Sequence, residues 1–142
     1  MRRYEDFFIG QVFNLERASL SAEEIKEFAG RWDPQPFHVD DDAARGSIYG
    51  GLIASGMHTL CSVMGNFTRE VLVGSTCMGS PGMRELRFHA PVRPGDGIKS
   101  QAEVIALRRS ESRPELGIVE FLWTSHNGDT TVMTASFTLL FT

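Results

Sequence analysis

At 142 residues, 42% hydrophobic and 23% charged, the chain has the length of one ordinary domain and enough apolar content to bury a core. Its formal net charge of −4, with lysines and arginines scattered, argues against nucleic acid as a main partner, because phosphate-backbone binding needs a basic face. Two cysteines outside any Cys-x-x-Cys pair exclude a disulfide framework, and no run approaches the ~18 apolar residues that span a bilayer.

Arg2-Arg3 at the N-terminus is followed by the acidic, aromatic Tyr4-Glu5-Asp6-Phe7-Phe8 in place of a secretory apolar stretch, so a soluble cytoplasmic protein is expected. No repeat, low-complexity tract or linker divides it, and residues 1–142 read as a single domain. Phe7 to Leu15, interrupted by Gly10, reads as a turn and a short strand. Ser21 and Glu24 then have the capping-box spacing, with Leu20 and Ile25 placed as a hydrophobic staple. The predicted helix runs through Ile25 and Phe28-Ala29, with Trp32 extending the same face, and Pro34 ends it.

A second short helix is predicted over Asp40 to Arg45, its acidic residues suited to the N-terminus. From Leu52 to about Val71 the chain is apolar nearly all round, the pattern of a helix buried on most sides. Met83 to His89 alternates and stops at Pro91, and Val92 to Asp96 has turn chemistry. Ile98 to Leu107 is a strand with mixed faces. Ile118 to Ser125 places Val119, Phe121 and Trp123 on one face, Asn127-Gly128-Asp129 signals a hairpin, and Thr131 to Phe141 turns Met133, Ala135, Phe137, Leu139 and Phe141 inward. An antiparallel sheet with one apolar face and one apolar helix to cover it predicts an α+β hot-dog arrangement, the sheet wrapped around a central helix.

Two segments carry residues suited to chemistry. Asp33 and His38 are separated by a spacer stiffened by Pro34 and Pro36. Adding water to a double bond conjugated with a carbonyl needs a proton acceptor and a proton donor near one water, and an Asp and a His can divide those roles. The same spacing also admits a plainer reading, with Asp33 closing a turn and His38 a satisfied core histidine. Gly50 to Gly56 opens a predicted buried helix, where unpaired backbone N–H groups can receive an oxyanion, or where glycine merely lets the helix approach the sheet. His58 with Cys61 supplies only two possible metal ligands, so no metal site is expected. Met57, Met64 and Met133 suit a core or the lining of an acyl tunnel.

The stretch FAGRWDPQPFHVDDDAARGSIYGGLIASGMHTL resembles the hydratase motif of the MaoC-like dehydratase family, which includes (R)-specific enoyl-CoA hydratases. GSPGMRELRFHAPVRPGD is similar to that family's following strand-and-turn block, and YEDFFIGQVF to its usual start. The resemblance therefore runs from about residue 4 to the end. It implies a hot-dog fold, homodimers whose sheets join edge to edge, Asp33 and His38 as catalytic groups, and the Gly56 N–H as oxyanion donor. It also implies syn hydration of a trans-2-enoyl-CoA to a (3R)-hydroxyacyl-CoA, or the reverse, with coenzyme A present only as part of the substrate and no metal or redox cofactor.

The chain departs from the family pattern at two places. Gln35 stands where the family commonly has Asn, and Ser55 where it often has His. Both join Met57 and Met64 as expected substrate-binding positions. Arg84, Arg87 and Arg93 are candidate contacts for coenzyme A phosphates or ordinary surface residues. The alternatives to a hydratase are a hot-dog acyl-CoA thioesterase, which would aim a carboxylate at the thioester carbonyl, and a non-catalytic acyl-binding partner subunit.

Overall fold

The computed structural model describes residues 1–142. Five antiparallel strands form one sheet in the order β1-β3-β4-β5-β2: β1 is Val12–Asn14, β2 Cys77–Phe88, β3 Lys99–Arg109, β4 Gly117–Asn127 and β5 Thr130–Phe141. Strands β4 and β5 form the predicted hairpin, closed by Gly128 at φ 58°, a left-handed position that glycine adopts without strain. Four helices follow β1 in the chain: α1 (Ala22–Trp32), α2 (Pro36–Val39), α3 (Asp41–Arg45) and α4 (Gly56–Phe67).

The period-two pattern of β4 and β5 sets which face is buried. Val119, Phe121 and Trp123 of β4, with Met133, Ala135, Phe137, Leu139 and Phe141 of β5, form the inner face and are all buried. Leu60, Val63 and Phe67 of α4 close over it in the same core. The Phe67 ring lies 5.0 Å from both Phe121 and Trp123, and Trp123 stacks on Phe137 at 4.3 Å. Aromatic pairs at these separations add to the stabilisation from burial. The result is the hot-dog arrangement, an antiparallel sheet curled around α4.

Five local expectations change. The central helix starts at Gly56, not Leu52, because the Ile53 and Ala54 N–H groups donate sideways to Phe37 O (3.2 Å) and Val92 O (2.8 Å). Those bonds hold 52–55 extended. Beyond Phe67 the helix widens into a π-turn over Thr68–Leu72. Nor is α4 covered all round: Met57, Cys61 and Met64 lie open along one side. Trp32 does not share the buried face of Ile25 and Ala29; it is the last residue of α1, beyond the helix's packing, and is 70% exposed. Finally, β2 begins at Cys77, earlier than Met83, because irregularities in register absorb the turn-like Gly79 and Gly82 within the strand.

Candidate active site

The predicted capping box and staple determine where the first candidate side chain falls. Ser21 Oγ accepts from Glu24 N at 3.1 Å, Glu24 Oε1 accepts from Ser21 N at 3.3 Å, and Leu20 and Ile25 are both buried beneath this turn. The helix so anchored ends eleven residues later with Asp33 as C-cap, its N–H donating to Ala29 O at 2.8 Å. Pro36 then serves as the first residue of α2, where a missing N–H is harmless and a fixed φ is useful. The Asp33–His38 spacer is therefore a cap followed by one helical turn, with His38 N–H donating to Gln35 O at 2.9 Å.

This path brings Asp33 Oδ2 to 3.4 Å from His38 Nε2. His38 is buried, and its Nδ1 lies 2.7 Å from Ile53 O. A carbonyl only accepts, so Nδ1 carries the proton, and in the neutral ring Nε2 presents a lone pair. Two acceptors then face each other at a separation longer than an ordinary N–H···O bond, each with acceptor capacity left for a third group.

Asp33 has a donor on each oxygen. Gln35 Nε2 donates to Oδ1 at 2.8 Å and Ser55 Oγ donates to Oδ2 at 2.8 Å. These two hydrogen bonds, Gln35 first, hold its carboxyl below the usual aspartate value; the nearby His38 adds to them and partial burial opposes them. Ser55 is also the N-cap of α4, yet its side chain makes no capping bond. With the hydroxyl engaged by Asp33, the helix starts at Gly56 with no side-chain cap for its first N–H groups. A Cβ on Gly56 would fall 2.5 Å from the Phe88 ring, so only glycine lets that ring lie across the start of α4.

These groups open into a cavity of about 550 Å³. Asp33, Gln35, His38, Ser55, Gly56 and Met57 all line it, which gathers six expected site residues in one place. Met64 is not among them. It sits two turns beyond Met57 along α4, on the open side of the helix. Phe37, Tyr49, Phe88 and Val132 complete the apolar wall. Sequence reading singled out none of these four, nor the Ile53 carbonyl that sets the His38 tautomer. The only hint was that Phe88 lies near the end of the predicted strand from Met83 to His89.

Of the other histidines, His89 lines the same cavity, whereas His58 and His126 do not. His58 stacks on Phe28 at 4.3 Å with its Nδ1 buried and unpartnered, and burial lowers its pKa. His89 Nε2 shares a 2.7 Å hydrogen bond with Thr134 Oγ1. The three arginines considered for phosphate contacts have partners within the chain: Arg84 with Glu120, Arg87 with Glu85, and Arg93 with Tyr49 O. No three His, Cys, Asp or Glu side chains converge to hold a metal ion, and no helix is long and apolar enough to cross a membrane.

The fold and these residues have relatives. Residues 6–124 match the family model described as MaoC like domain. An uncharacterized protein of Bacillus subtilis, YdeM, is 34% identical over 125 residues, covering 88% of this chain and 87% of its own. An (R)-specific enoyl-CoA hydratase of Rhodospirillum rubrum is 33% identical over 109 residues, covering 73% and 70% respectively. Among solved structures, a MaoC-like dehydratase from Rhodospirillum rubrum superposes with a TM-score of 0.89 at 35% identity, covering 98% of this chain and 95% of that one. The (R)-hydratase from A. caviae superposes at 0.74 with 27% identity, covering 95% and 97%. On the family match and the shared fold, the chain belongs to the MaoC-like dehydratase family of hot-dog proteins, related to the (R)-specific enoyl-CoA hydratases.

Proposed function

We propose that the protein adds water reversibly to short trans-2-enoyl-CoA thioesters, giving (3R)-hydroxyacyl-CoA. The observation that carries this reading is the His38 tautomer. With Nδ1–H held by Ile53 O, the Nε2 lone pair faces the same space as Asp33 Oδ2. A water there can donate one hydrogen to each.

In the forward direction His38 Nε2 takes a proton from that water as its oxygen bonds to C3. The C2=C3 π electrons move toward the carbonyl, and the enolate oxygen accepts from the Gly56 N–H at the start of α4. Asp33, held ionised by its two donors, orients the water and stabilises the imidazolium that forms. His38 Nε2–H then returns the proton to C2. One water is added, and because the same group delivers both parts from one side, the addition is syn. Adding H to C2 and OH to C3 involves no net oxidation or reduction, so the reaction requires no redox group. This reading makes His38 base and then acid, with Asp33 its electrostatic partner.

The cavity supports a short acyl group. Along α4 its lining ends at Thr59, and the next inward-facing residues, Leu60 and Val63, are packed into the core. Crotonyl-CoA is the natural probe. The enoyl absorbance is expected to fall without release of free thiol, the product is expected to be the 3R isomer, and rates are expected to drop as the chain lengthens past about six carbons. Thiol release with the double bond intact would replace the hydratase reading with a thioesterase.

A further inference from the structure

Gln35 and Ser55 lie 20 residues apart in the chain and converge on one carboxylate. We propose that Gln35 and Ser55 are positioning residues that clamp Asp33, one donor on each oxygen, and that this clamp assigns proton transfer to His38. The inference rests on the hydratase reading and deepens it.

The geometry leaves little freedom to Asp33. Its backbone is pinned as the cap of α1, Oδ1 faces the Gln35 amide and Oδ2 faces the Ser55 hydroxyl. The two donors come from different elements, the N-cap of α2 and the N-cap of α4, so the carboxylate also ties together the segments that carry His38 and Gly56. Neither donor performs its usual local task. Ser55 makes no capping bond to α4, and Gln35 makes none to α2. Both are turned toward the same acid. A carboxylate whose charge is met by two hydrogen bonds is a weak base, consistent with the lowered Asp33 pKa, whereas His38 Nε2 has no donor besides an incoming water.

The test uses Gln35→Met, which keeps length and loses the donor, Ser55→Ala, and the double variant. With crotonyl-CoA, each single variant is expected to lower kcat about tenfold, the scale of one hydrogen bond to a charged group, with KM changed less than about twofold. The acid limb of the kcat profile is expected to move to higher pH, further in the double variant. Ser55→Thr, which keeps a hydroxyl, is expected to restore the limb.

A second readout is independent of activity. The titration midpoint of the Asp33 side-chain carbon, followed by carbon NMR, is expected to rise in each variant. An unmoved midpoint with an active wild type overturns the clamp. A wild type inactive towards enoyl-CoA, with midpoints that still move, overturns the hydratase reading and retains the clamp on Asp33. Gln35 is exposed, so Gln35→Met decides alone if Ser55→Ala fails to fold.

Discussion

Asp33 and His38 form a pair whose chemistry depends on what surrounds each atom. The carboxylate is ionised by hydrogen bonds from Gln35 and Ser55, and the imidazole is oriented by a backbone carbonyl. The first of these has a consequence for stability. Because the folded Asp33 carboxyl titrates below its unfolded value, its contribution is present above the ordinary aspartate range and is lost as pH falls through the folded one. Urea unfolding of wild type and Asp33→Asn is therefore expected to differ more at pH 7 than at pH 3. An equal difference at both would mean that the two donors do not favour the charged form. His38 illustrates a limit on reading residues alone. Its residue type and place were legible in sequence, but its tautomer depends on Ile53 O, a backbone acceptor that no side-chain pattern marks.

At the scale of elements, the legible parts were those with a local rule. The capping box at Ser21 and Glu24, the hairpin at Asn127-Gly128 and the alternation of β4 and β5 each follow from spacing, and each is present. The start of α4 had no such rule. Leu52 to Ser55 are as apolar as the helix itself, and only tertiary hydrogen bonds to Phe37 and Val92 keep them extended. Met64 does not line the cavity for a related reason: a helix apolar on every side does not reveal which side meets it. The start of α4 also carries a prediction. Gly56→Ala drives a methyl group into the Phe88 ring, which is half exposed and can swing aside. Stability is expected to fall by no more than about 1 kcal/mol, and kcat on crotonyl-CoA by about ten- to a hundredfold, as the proposed oxyanion site is disturbed. A melting scan and steady-state kinetics on the same preparation check both.

For the whole molecule, β2 is an edge strand with one side unpaired, and it ends beside open apolar side chains. Met83 and Phe88 on β2, with Met57 and Met64 on α4, are 37–48% exposed. An unpaired edge next to such a surface invites pairing with another sheet. A second copy joined through β2 fits the homodimer that the family resemblance implies. Light scattering on the eluted protein is expected to give twice the 15.8 kDa chain mass, and Met83→Lys is expected to shift it toward the monomer. A wild-type chain that elutes as a monomer at micromolar concentration would contradict the pairing.

If Asp33 and His38 act together on one water, crotonyl-CoA hydration depends on both. The rate is measured for Asp33→Asn and for His38→Gln, each shown by circular dichroism to be folded. Both variants are expected to lose about 10²–10⁴-fold in kcat. Full activity in either folded variant would exclude a shared role for the two side chains.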